Sequence, residues 1–294
     1  MDSVAPARRA VELDPECPVA HAYLAEALHA AGQLDDAESA YAETLDRAPL
    51  EAVFHMNYGN LLRDQNQWAA AERSFRRAIE LRPDFALAYC NLGNVLADRR
   101  DYESATAAFE KAIELDPADV TTHLRLGDMA LKQRQFAQAE RAYHHALEIA
   151  PHNADLYYGL GEVCRLQRRP ADAERAYRKA IELQPKHAAA HTALGIVFYD
   201  RGDVDEAERL YRKALELDPD NLAPYGNLGI ILAERKQFAE AEKTFRALLD
   251  RSIGNDRLPA WVNLAMVCGE QGKLEEAEHL LRQALEVAPN HPRV

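Results

Sequence analysis

Proline stands at Pro15, Pro49, Pro83, Pro117, Pro151, Pro185 and Pro219, a strict interval of 34 residues, and Pro289 rejoins the series after a slip of two. Each closes an alanine-rich amphipathic segment. A fixed period of about 34 residues built this way predicts stacked helix-turn-helix units, each burying its apolar face only against its neighbours. Function is then expected on a surface and not in an enclosed pocket.

The other columns of the period supply the packing logic. Leu24, Tyr58, Leu92, Leu126, Leu160, Leu194, Leu228 and Leu264 form one column, followed directly by Ala25, Gly59, Gly93, Gly127, Gly161, Gly195, Gly229 and Ala265. In the second half of each unit run Ala37, Ala71, Ala105, Ala139, Ala173, Ala207, Ala241 and Ala277. Four residues on come Tyr41, Phe75, Phe109, Tyr143, Tyr177, Tyr211, Phe245 and Leu281. Small residues let helix backbones approach closely, and a ring one turn later on the same face fills the gap.

An aromatic, Leu-Gly, Ala, Phe or Tyr, Ala and Pro in this order resemble the motif of the tetratricopeptide repeat family, over nearly the whole chain. The resemblance implies an all-α fold, a right-handed superhelical solenoid of antiparallel helix pairs. Eight units are expected to start at Pro18, Ala52, Ala86, Val120, Ala154, Ala188, Leu222 and Leu258, spanning 18–291. Residues 1–17 would be the second helix of a truncated leading repeat, roughly Ala5 to Leu13, and 292–294 a tail. Such an array reads as one elongated domain. Both ends look like cuts within a longer protein, with uncapped apolar faces at Leu280, Leu281, Leu285 and Val287 open to self-association.

The net charge of −13 argues against nucleic acid and anionic membranes, which reward a basic face. A basic or neutral peptide is the easier partner. Cys17, Cys90, Cys164 and Cys268 are scattered with no CxxC pair, which suggests a reducing compartment. With no apolar h-region at the start and no apolar run near 18 residues, a cytoplasmic chain is expected.

His21, His55, His123 and His191 share a column with Tyr89, Tyr157, Tyr225 and Trp261, so they read as amphipathic plugs. Equivalent positions on stacked helices lie about 8–10 Å apart, too far for metal bonds of about 2 Å. His144, His145 and His152 project from different faces and form no better set. Glu72, Glu140, Glu174, Glu208, Glu242 and Glu278 each precede Arg76, His144, Arg178, Arg212, Arg246 and Arg282 by four residues, a helix-stabilising spacing. The chain has no GxSxG, HExxH or GxxxxGK[ST]. It therefore nominates no nucleophile, zinc base or phosphate loop; no catalysis, cofactor or metal is expected.

The asparagines carry the functional expectation. Asn57, Asn91, Asn227 and Asn263 each precede the leucine column by one residue, and Asn60 and Asn94 stand one turn further on. An exposed asparagine inside a helix is locally unfavourable, so its recurrence at the period asks for a reason. A carboxamide offers both donors and an acceptor to a peptide backbone. Helices about 9–10 Å apart would meet about every third residue of a strand rising 3.3 Å per residue. This face resembles the asparagine-lined groove in the repeat arm of the O-linked N-acetylglucosamine transferases, which implies capture of an extended segment in the concave groove. Arg125, Gly159 and Ala193 interrupt the series, and Tyr23 replaces it in the first unit.

A second resemblance, to co-chaperones that clamp a C-terminal carboxylate, places the clamp offsets on Met56, Asn60, Asn91, Thr121 and Arg125. Both lysines of that clamp are absent, which leaves Asn60, Asn91 and Arg125 as polar groove contacts. The peptide-binding set is thus Asn57, Asn60, Asn91, Asn94, Arg125, Asn227 and Asn263. The expected function is a non-catalytic scaffold binding an extended segment of another protein, the alternative being the substrate-recruiting arm of a larger glycosyltransferase. One irregularity remains at 250–257, where the joint is two residues long and Leu248 replaces a small residue. It reads as an accommodated insertion or a hinge.

Overall fold

A computed structural model describes residues 3–288, and all regular structure among them is helical. The last proline of the series, Pro289, and the tail at 292–294 lie outside the described residues. The helices are α1 (Val4–Leu13), α2 (Pro18–Ala30), α3 (Leu34–Arg47), α4 (Ala52–Asp64), α5 (Trp68–Leu81), α6 (Ala86–Asp98), α7 (Tyr102–Leu115), α8 (Val120–Lys132) and α9 (Phe136–Ile149). Then follow α10 (Ala154–Leu166), α11 (Pro170–Leu183), α12 (Ala188–Asp200), α13 (Val204–Leu217), α14 (Leu222–Glu234), α15 (Phe238–Arg251), α16 (Arg257–Glu270) and α17 (Leu274–Val287). They form two compact units, one through Pro151 and one from His152. In each unit a leading helix (α2, α4 and so on) packs against the trailing helix that follows it.

The glycine column explains how closely the two helices of a pair approach. A Cβ built on Gly59 would stand 2.7 Å from the Phe75 ring, and one on Gly93 would stand 2.6 Å from Phe109. The same holds for Gly195 against Tyr211 at 2.6 Å. The aromatic of each trailing helix therefore lies flat on the bare backbone of its leading helix, sixteen residues back. Tyr41, Phe75, Phe109, Tyr143, Tyr177, Tyr211 and Phe245 are all buried in consequence, and the alanine column from Ala37 to Ala241 is sealed.

Every leading helix ends in the same left-handed turn. Gly32, Asn66, Arg100, Arg134, Arg168, Gly202, Lys236 and Gly272 all have φ between 58° and 89°. Around each, two backbone bonds close the helix end, as in Gln33 N–H to Leu28 O at 3.0 Å and Gly32 N–H to His29 O at 2.9 Å. Trailing helices stop two residues before each proline, which cannot continue the ladder.

The irregular joint is pinned. A single 3₁₀ turn, Gly254–Asp256, follows α15, so that α16 begins at Arg257, one residue before the expected Leu258. Ser252 is buried and its hydroxyl donates to Leu248 O at 2.7 Å, while Arg251 reaches Pro219 O at 3.0 Å and Arg257 reaches Ser252 O at 3.1 Å. Leu248 is accommodated because its facing residue is Gly226, whose missing Cβ would lie 3.9 Å from a Leu248 methyl. Large and small residues are thus exchanged across the pair.

Candidate functional site

Residues spaced four, three and four apart share one face of a helix. On α4 this face carries Val53, Asn57, Asn60 and Asp64, and on α6 it carries Leu87, Asn91, Asn94 and Asp98. On α2 the equivalent residues are Val19, Tyr23, Glu26 and Ala30. Between α2 and α4 these faces bound an open cleft of about 560 Å3 lined by Glu26, His29, Ala30, Tyr41, Asn57, Asn60 and Asp64.

Within this cleft Asn57 donates to Glu26 Oε1 at 2.5 Å, and His29 Nε2 lies 2.9 Å from Asp64 Oδ2. The Asn57 carbonyl oxygen and its second amide hydrogen remain for other partners. Asn60 and Asn94 are half-buried. Asn91 differs from the expected exposed amide: it is only 9% exposed and has no hydrogen-bond partner among the described residues. Its burial follows from its place between Cys90 and Leu92, both in the core of the first unit. Arg125 is exposed, 3.8 Å from Asp128. In the second unit Asn227 and Asn263 are half-buried on α14 and α16. One turn beyond them lies a more apolar cleft of about 410 Å3, walled by Ile230, Ala233, Phe238, Met266 and Val267 with Glu234, Lys236 and Glu270 around it.

A tyrosine hydroxyl separates internal from available polar groups. Tyr143 donates to Asp128 Oδ1 at 2.8 Å, and Tyr177 donates to Glu162 Oε1 at 2.5 Å. Burial first, and then the Glu162 charge, push the Tyr177 phenol well above its ordinary range. Asn60 and Asn94 occupy the same column as Asp128 and Glu162, but the trailing helices opposite them carry Phe75 and Phe109. A phenyl ring offers no hydroxyl, so these two amides are not held by their own unit.

The histidine column has a structural task. Nε2 of His21, His55, His123 and His191 donates to the carbonyl oxygens of Pro15, Pro49, Pro117 and Pro185 at 2.8, 2.8, 3.0 and 3.1 Å. Tyr225 does the same to Pro219 O at 3.0 Å, which is why histidine and tyrosine interchange there.

The acid column reaches further than its own helix. Glu174 accepts from Arg178 at 2.9 Å and from Arg201 of the next pair at 3.0 Å, and Glu242 accepts from Arg246 at 2.8 Å and Lys273 at 2.6 Å. Glu72 bridges Arg76 and Arg99, and Glu208 bridges Arg212 and Arg235. Both carboxylates are buried. Sequence spacing reveals the partner four residues on; the second lies 27 or 31 residues away and needs the fold. Glu242, Cys268 and Glu276 bring three ligand-type atoms within 4.8 Å of one another. Arg246 and Lys273 already supply the positive charge there, with Arg246 also 2.5 Å from Glu276. Burial pushes the Cys268 thiol up, away from the thiolate a metal needs.

Residues 53–257, more than half of the chain, match the family model of the cilia and flagella-associated protein 70 C-terminal domain, a tetratricopeptide model. Tetratricopeptide repeat models also match residues 259–291 and 7–61. The chain belongs to the tetratricopeptide repeat family. No curated protein sequence matches it. Among solved structures, this tetratricopeptide protein is similar to yeast Tom70, at 19% identity and a TM-score of 0.69 over 96% of this chain and 61% of that one. It is similar to the APC/C hetero-tetramer Cut9-Hcn1, at 19% identity and 0.68 over 90% and 52%. A third likeness is Pseudomonas aeruginosa pilF, at 19% and 0.63 over 71% and 94%. The chain thus spans between half and two thirds of the first two, and at these identities the likeness establishes the fold. That fold is consistent with a protein-interaction scaffold. No described helix is long and apolar enough to cross a membrane.

Proposed function

We propose that this tetratricopeptide protein is a non-catalytic scaffold that holds an extended segment of another protein against the leading-helix faces, with Asn57, Asn60, Asn91 and Asn94 as the central contacts. Arg125 and, in the second unit, Asn227 and Asn263 are further polar contacts of the same kind. The observation that carries the reading is the pair Asn60 and Asn94, half-buried on one helical face and set opposite phenylalanine, while Asp128 and Glu162 of the same column are taken by tyrosine. A free carboxamide in such a place can donate to a peptide carbonyl and accept from a peptide N–H at once, independent of the side chain attached.

The test uses a displayed library of random dodecamer peptides. Binders selected on the wild-type protein are titrated against a variant with Asn57, Asn60, Asn91 and Asn94 replaced by alanine. The expected result is an affinity at least about tenfold weaker, or 1.4 kcal/mol, with an unchanged thermal melt. Equal affinity for both proteins overturns the reading. The same amides would serve the recruiting arm of a larger enzyme of the O-linked N-acetylglucosamine transferase type. A glycosyltransferase domain in the parent open reading frame is the observation that selects that version.

A further inference from the structure

The face that carries the asparagines is polarised across its width. On α4 and α6 it begins with an apolar residue, Val53 or Leu87, runs through two amides, and ends with Asp64 or Asp98. Val53 is 38% exposed and Leu87 50%, and Val19 on α2 extends the apolar edge at 64%. The two edges are eleven residues apart along the helix, or about 16 Å at 1.5 Å per residue.

The acidic edge is set where a helix tolerates acid least. A helix C-terminus carries a partial negative charge and favours cations, so a carboxylate in the last position is locally unfavourable. Neither α4 nor α6 avoids it. Carboxylate and helix end together attract a cation more strongly than either alone. Asp98 is exposed with no partner among the described residues, and Asp64 meets only His29 and, at 3.3 Å, its neighbour Arg63. Between the edges lies Asn91, 9% exposed and without a hydrogen-bond partner among the described residues, with its amide left to solvent or to a bound segment. On α8 the charge reverses with Arg125 and Lys132, which bounds the acidic edge on that side.

Resting on the peptide-binding reading above, we infer that the segment held across α4 and α6 is an extended strand whose side chains alternate between apolar residues and arginine or lysine. In an extended strand successive side chains point to opposite sides. A strand laid along the amide row therefore sends one set toward Val53 and Leu87 and the other toward Asp64 and Asp98. Each edge lies four residues from its nearer amide, about 6 Å along the helix, and long basic side chains cover that reach to the carboxylates while their stems cover apolar surface.

The test is fluorescence anisotropy with labelled synthetic peptides of about eight residues, roughly 26 Å when extended. One alternates leucine and arginine, one has the same composition in two blocks, and one alternates leucine and glutamate. The alternating leucine-arginine peptide is expected to bind at least tenfold more tightly than the block peptide, and the glutamate peptide not at all. Asp64→Asn with Asp98→Asn should weaken the first peptide at least tenfold, as should Val53→Ser with Leu87→Ser. Glu103→Gln with Glu114→Gln on α7, an equal change in net charge, should leave it unchanged. Thermal melts confirm that each variant is folded. Equal binding of the block peptide, no effect of the aspartate variant, an equal effect of the α7 control, or no binding at all overturns the inference. The two readings separate through the asparagine variant. Loss of binding there with none in the aspartate variant leaves amide capture standing and removes the basic partner; the opposite pattern does the reverse.

Discussion

Gly229 on α14 lies against the ring of Phe245 on α15, so that a Cβ at position 229 would fall 2.5 Å from the ring edge. Glycine inside a helix normally costs about 1 kcal/mol relative to alanine. Here the ring occupies the volume the methyl would need, and the ring is itself fully buried with no room to retreat. Gly229→Ala is therefore expected to destabilise by about 1–3 kcal/mol, the usual cost of overpacking, against the sign that propensity gives. A chemical denaturation midpoint at or above that of the wild type would show that the helix pair can open. Gly269, with nothing within 4 Å of its would-be Cβ, is the matched control, and Gly269→Ala should not lower the midpoint.

His191 makes stability sensitive to mild acid. Its Nε2–H is committed to Pro185 O at 3.1 Å, and its Nδ1 is buried without a partner. Burial, the largest cause, with Lys213, Arg209 and His187 adding to it, holds its pKa below the ordinary value against the opposing pull of the Pro185 bond. The folded state thus binds a proton less readily than the unfolded state, and the stability from this neutral histidine is present above about pH 6.5 and declines as pH falls below it. Tyrosine at this column keeps the carbonyl bond, as Tyr225 does. His191→Tyr should flatten the fall in melting temperature between pH 7 and 5, and an unchanged slope would assign it elsewhere.

Glu242 sets a second, lower window. Its bond to Lys273, and then that to Arg246, bring its pKa down from the ordinary carboxylate value to about 2. A depressed folded pKa gives stability that is full above the unfolded value of about 4.3 and is lost as pH drops toward the folded one. Glu242→Gln should therefore melt below the wild type at pH 7, and the gap should close between about pH 4.5 and 2. A gap that stays constant through that range would mean that the carboxylate charge contributes nothing.

The fold was legible because its determinants repeat. Proline, glycine, alanine and ring columns each mark a packing relationship within one period, and Gly93 with Phe109 is as visible in the sequence as in the structure. The positions of Asn57, Asn60, Asn91 and Asn94 on one helical face were equally legible from their spacing. What escaped depends on contacts between periods or on single atoms. The bond from Asn57 to Glu26 joins residues 31 apart, and Glu72 meets Arg99 across 27. The burial of Asn91 reflects the packing of Cys90 and Leu92 around it, which spacing alone does not measure. The exchange of Tyr for Phe opposite Asn60 and Asn94 was present in the sequence, but its meaning needed the hydroxyl distances at Asp128 and Glu162.

The left-handed helix ends were hidden for a different reason, since only Gly32, Gly202 and Gly272 advertise them. At the same place Arg100, Arg134 and Arg168 adopt φ of 64°, 58° and 58°. A side chain in this conformation costs about 1–2 kcal/mol, while glycine adopts it freely and gives back about 0.5–1 kcal/mol through its looser unfolded state. Among the described residues no ion pair or hydrogen bond ties the Arg100 side chain to the fold. Arg100→Gly is therefore expected to raise stability by about 0.5–1 kcal/mol, and Arg100→Ala, which keeps the Cβ, to give no such gain. Arg168→Gly lies in the second unit, and its effect should add to the first within about 0.5 kcal/mol. A lowered melting temperature for Arg100→Gly would mean that the arginine contributes to the turn more than its backbone strain costs.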